Sequence, residues 1–99
     1  MRLTQFEIQN IKKLTELTFG HEAEVYIFGS RRHDHQKGGD IDLLIRTENI
    51  ENPLQSKIRF IACLKPLIGD QKIDLIIRSK EKPHVNDTIY IKALSGEKL

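Results

Sequence analysis

Two aspartates at alternate positions in an apolar segment constrain the fold and the kind of site that this chain can form more than any other sequence feature. Asp40 and Asp42 lie at the start of the run 41–45, whose remaining residues are all isoleucine or leucine. Because side chains alternate along a β-strand, both carboxylates point to one face. They repel by about 1 kcal/mol in water and about 4 kcal/mol near a protein surface, a cost that a bound cation relieves. A second apolar run, 72–77, carries Asp74, so three strand-borne acids predict a divalent metal site.

The composition narrows the class of protein. With 99 residues the chain predicts one domain with a modest core. The 16 basic and 14 acidic residues are too balanced for a protein that coats nucleic acid. No apolar run approaches the roughly 20 residues of a membrane span, which favours a cytoplasmic protein. The single cysteine, Cys63, excludes an internal disulfide, and its place in a predicted helix suggests a small buried residue.

Cap and breaker residues divide the chain into helices and strands. Thr4, with Glu7 three residues later, forms a capping box that predicts a helix over 5–18. Asn52-Pro53 starts a second helix, which Gly69 ends. Apolar and β-branched runs predict strands over 24–28, 40–46 and 72–78. The expected apolar stripes of the two helices are Phe6, Ile11, Leu14 and Leu17 in the first, and Leu54, Ile58, Ile61, Leu64 and Ile68 in the second.

The connections predict the topology of the sheet. The link between the first two strands favours an antiparallel pair, and the helix between the second and third favours a right-handed parallel pair. The expected fold is α/β (α+β), with a small mixed sheet of about three strands and helices packed on one face. The acids would then lie on the open side, beside Gly29-Ser30. The residues expected to face the helices are Ile41, Leu43, Ile45, Ile73, Leu75 and Ile77.

The ordered set Gly29-Ser30, Asp40-Ile41-Asp42 and Asp74 resembles the signature of the DNA polymerase beta superfamily of nucleotidyltransferases. It is similar in particular to the minimal nucleotidyltransferases that serve as MNT-type antitoxins in HEPN/MNT toxin-antitoxin pairs. The resemblance covers nearly the whole chain and implies a polymerase-beta-like fold with one domain, 1–99. It also implies a C-terminal helix over 86–94, where propensity alone favours a strand but Asn86 can cap a helix and Gly96 can end one.

The resemblance implies a set of site residues. Mg²⁺ (or Mn²⁺) and ATP are the expected cofactor and substrate, since hard oxygen ligands suit these ions. Glycine at the turn is expected to leave room for a phosphate. Two arginines after it are open to two interpretations, a solvated turn or a phosphate contact. The residues assigned are Asp40, Asp42 and Asp74 for the metal and catalysis, and Gly29, Ser30, Arg31 and Arg32 for the nucleotide.

Three functions are compatible with these residues. The first is transfer of a nucleoside monophosphate, AMP from ATP, to a hydroxyl of a HEPN-type partner toxin encoded nearby. The second is an antitoxin or regulatory module that neutralises such a partner by contact alone. A third and weaker alternative is transfer to a small molecule such as an aminoglycoside. Nucleic acid is not expected as a template.

Overall fold

The computed structural model describes residues 3–29, 40–69 and 71–99. Every predicted helix and strand is present in these ranges, with ends that differ by at most two residues from the expected ones. The ambiguous segment after residue 86 is a helix, whose N-cap is Asp87 rather than Asn86. The elements are α1 Gln5–Phe19, β1 Glu24–Phe28, β2 Ile41–Arg46, α2 Pro53–Ile68, β3 Ile73–Arg78, α3 Thr88–Leu94 and β4 Glu97–Lys98.

The described strands form one mixed sheet in the order β3-β2-β1-β4. As predicted, β1 is antiparallel to β2, and β2 is parallel to β3. The expectation of about three strands missed β4, a two-residue strand that pairs with Tyr26 and Ile27 of β1. The chain enters β4 through Gly96, where a Cβ atom would overlap the carbonyl oxygen of Ile27. A strand this short leaves no periodicity for sequence analysis to detect.

One surface of the sheet, called here the α1/α2 face, carries the main core. Alternate residues of β1, β2 and β3 pack there against α1 and α2, and the sequence had assigned the β2 and β3 set to this face. Phe19 of α1 meets Phe60 of α2 with ring centroids 6.1 Å apart and planes tilted by 45°. The buried sheet residues of this cluster are Val25, Ile27, Ile41, Leu43, Ile45, Ile73 and Leu75.

The opposite surface, called here the α3 face, is not open. Tyr90 and Ala93 of α3 are buried there against Phe28 and Leu44, with Tyr26 and other half-buried residues around them. The prediction that all helices pack on one face was therefore wrong. This short helix packs on the sheet through these two buried side chains and the half-buried Leu94, because the sheet has apolar residues on both faces.

The helix ends follow local rules, but one cap differs from expectation. Thr4 Oγ1 accepts from the Glu7 N–H at 3.1 Å, and Glu7 Oε1 accepts from the Thr4 N–H at 2.9 Å, as the capping box predicts. Gly69 ends α2 with a φ of +81°, a conformation that favours glycine. Asn52 holds the N-cap position of α2 without a side-chain hydrogen bond, so Pro53 marks this helix start.

The buried stripes of α1 and α2 differ from the predicted ones. In α1 the buried residues are Ile11, Thr15 and Phe19, and in α2 they are Phe60, Leu64 and Ile68. The predicted members Phe6, Leu17, Leu54 and Ile58 are exposed by 58%, 72%, 69% and 60%.

Cys63 is also exposed, contrary to the expectation that it is buried. None of the helices in the described ranges is long and apolar enough to cross a membrane.

Candidate active site

Asp42 and Asp74 lie side by side on the α3 face, at one end of the strands. They are register partners in the parallel pair of β2 and β3. Asp42 is also opposite Phe28, the last residue of β1. Asp40 directly precedes β2 and is half-buried, as are the other two acids. The register thus brings two acids together that lie 32 residues apart in the chain.

The charge of this acid pair is not neutralised by an ion pair within the described residues. In the described part of the chain neither Asp42 nor Asp74 forms a salt bridge. Burial raises the pKa of Asp42, and so do the negative charges of Asp74 and Asp40 and a hydrogen bond with Asp74. The charge of Lys92 acts in the opposite direction. Such a carboxyl group gains from any ligand that brings positive charge.

Gly29 follows β1 directly and faces the same acids. Its φ of +79° lies in the left-handed region, where residues with a Cβ atom are strained. A Cβ atom at this position would overlap Oδ2 of Asp42. The sequence interpretation was that glycine leaves room for a phosphate. In the structure the nearest group that a side chain here would displace is the Asp42 carboxylate, so glycine at this position leaves room for that acid.

A cavity of about 400 Å³ opens beside the acid pair. The volume is in the range of small-molecule sites, and the wall is mainly apolar with a few charged groups. The sheet supplies the acids, α2 supplies one lysine, and α3 supplies a second lysine and an isoleucine. The lining residues are Phe28, Gly29, Asp42, Lys57, Asp74, Leu75, Ile76, Ile89 and Lys92.

Sequence analysis did not single out Lys57 and Lys92, although both line this cavity. Within the described ranges neither lysine belongs to an ion pair. Their positive charges come from two helices on opposite faces of the sheet, which is why no local motif marks them. The spacing of Ile89 and Lys92 was the available signal, because residues three apart share one side of a helix.

Two of the predicted metal ligands suit a divalent cation in chemistry. Asp42 and Asp74 are adjacent hard oxygen donors, and neither forms a salt bridge in the described part of the chain. Over the described residues, however, no group of three or more His, Cys, Asp or Glu side chains is arranged to hold a metal ion. The predicted set of three ligands is therefore represented by a close pair, with Asp40 at the entrance to β2.

The remaining predicted nucleotide-binding residues, Ser30, Arg31 and Arg32, lie outside the described residues.

Comparison with known proteins identifies the family. The model of the nucleotidyltransferase domain family matches residues 8–95. The chain therefore belongs to this family, whose members transfer a nucleotidyl group from a nucleoside triphosphate. Its α+β fold with a mixed sheet is consistent with the polymerase-beta-like fold predicted from the sequence.

A crystal structure of a candidate nucleotidyltransferase from Sulfolobus solfataricus is similar to this chain, with 22% sequence identity and a TM-score of 0.47. The match covers 100% of this chain and 88% of that one. Among curated proteins, none matches the sequence.

Proposed function

We propose that the protein is a metal-dependent adenylyltransferase that transfers AMP from ATP to a hydroxyl group of a partner protein and thereby acts as an antitoxin. One observation carries the proposal: Asp42 and Asp74 are register partners next to Gly29, in a cavity that also receives Lys57 and Lys92. Acids, lysines and an apolar wall in one cavity suit a nucleoside triphosphate that arrives with a cation.

The carboxylates would hold the cation and receive the proton. Asp42 and Asp74, joined by Asp40, would be ligands of Mg²⁺ or Mn²⁺, which supplies Lewis-acid stabilisation of phosphoryl charge when bound. The acceptor oxygen attacks the α-phosphorus, and the bond from that phosphorus to the oxygen bridging to the β-phosphate breaks. Pyrophosphate leaves with the electron pair. Asp74 would take the hydroxyl proton, a role that the sequence resemblance suggests.

The lysines and the turn after β1 would hold the triphosphate. Lys57 and Lys92 bring two positive charges to the cavity that carries the acid pair, so they can offset the charge of the phosphates. Gly29, Ser30, Arg31 and Arg32 remain the proposed contacts from the turn.

A protein acceptor fits the surroundings of the site better than a small polar molecule does. Ile89 lines the cavity and is 47% exposed, and Phe28, Leu75 and Ile76 add further apolar side chains to its wall. Exposed apolar side chains around an active site are typical of a surface that a partner protein covers. A HEPN-type toxin is the partner that the sequence resemblance suggests, and the same surface would serve neutralisation by contact.

Co-expression with a HEPN-type toxin, which the proposal expects to be encoded nearby, tests the proposal. With ATP and Mg²⁺ the purified protein should add AMP to a hydroxyl of the partner, observed as a mass increase of one adenylyl group. Asp42→Asn should lower the rate by about 100-fold or more, since metal-held phosphoryl charge is worth several kcal/mol in the transition state. The readouts are intact-protein mass spectrometry and ATP binding with and without a chelator.

Asp87→Asn is the matched control. It makes the same chemical change at an acid that caps α3 and pairs with Arg78, away from the cavity. This variant should be less stable but should still bind ATP in a metal-dependent way. If Asp42→Asn neutralises the partner as well as the wild type does and no adduct forms, the protein acts by contact alone.

A further inference from the structure

The outer edge of β3 carries backbone groups that pair with no strand of the described chain. β3 is the end strand of the sheet, and β2 covers only one of its sides. The flanking ladder bonds come from Ile41 N–H to Lys72 O at 2.8 Å and from Thr47 N–H to Arg78 O at 2.9 Å. In a regular parallel ladder every second residue of a strand bonds to the same neighbour. The backbone groups of residues 72, 74, 76 and 78 therefore bond to β2. The N–H and C=O groups of Ile73, Leu75 and Ile77 therefore point outward.

This edge has the features that favour addition of another strand. It is six residues long and reads IDLIIR, with half-buried Ile76 and Ile77 in its second half. A groove of about 310 Å³ runs beside it, lined by Leu54 of α2 together with Leu75, Ile76 and Ile77. Leu54 is 69% exposed. A long apolar edge with free backbone groups is a template for pairing with another chain.

The charges on β3 favour a second copy of β3 as the strand that pairs with this edge, and they favour one register for that pair. Antiparallel pairing of β3 with a second β3 must match outward-pointing residues with each other. A two-fold axis at Ile76 pairs Leu75 with Ile77 of the other copy and sets Asp74 opposite Arg78. An axis at Leu75 instead sets Lys72 opposite Arg78, which places like charges together. Of the two registers, only the first sets opposite charges against each other within β3, Asp74 with Arg78, and by symmetry it does so at both ends. The lysines that this register sets opposite each other, Lys72 and Lys80, lie outside the strand, and Lys80 pairs with Glu22 at 3.2 Å.

We propose that the protein forms a two-fold dimer in which β3 pairs antiparallel with β3 of a second copy, with Ile76 on the axis. Each Leu75 and the Ile77 of the other copy exchange both of their backbone hydrogen bonds. Asp74 and Arg78 then form a non-hydrogen-bonded pair, in which side chains come closest. The second copy thus brings a guanidinium to the outer side of the acid pair.

One N–H group of Arg78 can change its hydrogen-bond partner when the dimer forms. Its Nε and Nη2 bind Asp87 at 2.8 and 3.3 Å and hold the side chain beside α3. Its Nη1 donates to the outward carbonyl of Ile77 at 3.0 Å. When the two strands pair, that carbonyl accepts a hydrogen bond from the Leu75 N–H of the second copy. Nη1 of Arg78 is then released and can bind Asp74 of that copy.

Sedimentation and cross-linking test the dimer directly. The wild type should pass from monomer to dimer between micromolar and millimolar concentration in analytical ultracentrifugation. Ile76→Cys, made in a Cys63→Ser background, should oxidise to a disulfide-linked dimer, since Cα atoms about 4.5 Å apart in a non-hydrogen-bonded pair fall within the range of a disulfide. Val85→Cys in the same background is the control, because Val85 is 77% exposed but lies outside β3.

A charge exchange tests the register. Asp74→Arg alone and Arg78→Glu alone each place like charges opposite each other at both ends and should stay monomeric. Mixed in equal amounts, the two variants should form a heterodimer, because opposite charges then face each other at both ends. A wild type that stays monomeric at millimolar concentration overturns the proposal. A dimer whose Ile76→Cys variant does not cross-link, or whose interface is a segment other than β3, overturns it equally, and neither result depends on nucleotide transfer.

Discussion

Charged side chains lie at both ends of the α3 face, in equivalent register positions, but among the described residues salt bridges form at one end and not at the other. At that end Arg46 donates to Glu24 at 2.8 Å and to the Tyr90 hydroxyl at 3.0 Å, and Arg78 binds Asp87. At the other end of the same strands lie Asp42 and Asp74, which form no salt bridge in the described part of the chain.

The difference distinguishes an end whose ion pairs stabilise the fold from the end at which we propose that the ligand binds. The arginine end joins β1, β2 and α3 through Tyr90, whose hydroxyl also donates towards the carbonyl oxygens of Ser79 and Glu81 at 2.9 Å. The acids at the other end form no salt bridge in the described part of the chain, and in our proposal they bind the cation. We expect substitutions at the first end to lower the free energy of unfolding, and substitutions at the second to affect ligand binding more than stability.

The largest loss of stability is expected at Arg46. Its side chain is only 19% exposed and also donates to the Lys80 carbonyl at 2.8 Å. Arg46→Met should lower the free energy of unfolding by about 2–4 kcal/mol, because Glu24 and the Lys80 carbonyl lose a charged donor. The melting temperature should fall by roughly 10 °C or more in a chain of this size.

Lys98→Met is the control for Arg46→Met. Lys98 pairs with the same carboxylate of Glu24 at 3.2 Å but is 55% exposed, so its loss should cost less than about 1 kcal/mol. Equal losses in the two variants would show that the arginine end does not join the elements as described.

An intermediate effect is expected at Gly29, with Gly69 as a matched control. Both have nearly the same positive φ, +79° and +81°, but a Cβ atom at Gly69 meets nothing within 4 Å. Alanine should cost about 1–2 kcal/mol at either position through backbone strain alone. Gly29→Ala should cost more and weaken ATP binding, because it displaces the Asp42 carboxylate. Thermal melts and ATP titration of the two variants provide the comparison, and identical results would contradict it.

The smallest effect, and one of opposite sign, is expected at Asp42. Without metal, Asp42→Asn should raise the free energy of unfolding at neutral pH, by less than about 1 kcal/mol because solvent screens this half-exposed group. Mg²⁺ with ATP should stabilise the wild type but not the variant, through binding to the folded state. A variant that is less stable than the wild type in chelator would mean that the acid end also contributes to stability.

The pH dependence of this gain has a defined sign. Because the pKa of Asp42 is raised in the folded protein, the folded state keeps a proton that the unfolded chain releases at lower pH. The free-energy cost of ionising Asp42 in the folded protein therefore grows as the pH rises from the ordinary pKa of an aspartate, about 4, through the raised pKa of Asp42. The advantage of Asp42→Asn in urea melts should be complete at neutral pH and vanish in acid. If the stability gain of Asp42→Asn does not change with pH, the gain comes from packing and not from the removal of a charge.

Local patterns predicted the elements well, because their signals lie within a few residues of each other. The capping box of Thr4 and Glu7, the stop at Gly69 and the alternation that puts Ile41, Leu43 and Ile45 on one face are all of this kind. The predicted apolar stripes of α1 and α2 were partly wrong, because apolar residues occur on more than one side of each helix. In α2 the sequence offered Leu54 and Ile58 as well as Phe60, and only the position of the sheet selected Phe60.

The sequence by itself determined which residues share a strand face, where the helices begin and end, and that three acids lie in or beside apolar strands. Tertiary structure decided that Asp42 and Asp74 are register partners, that α3 covers their face, and that Lys57 and Lys92 reach the same cavity. The physical reason is range. Periodicity and capping act over a few residues, whereas register and helix placement depend on burying apolar surface between segments that lie far apart in the chain.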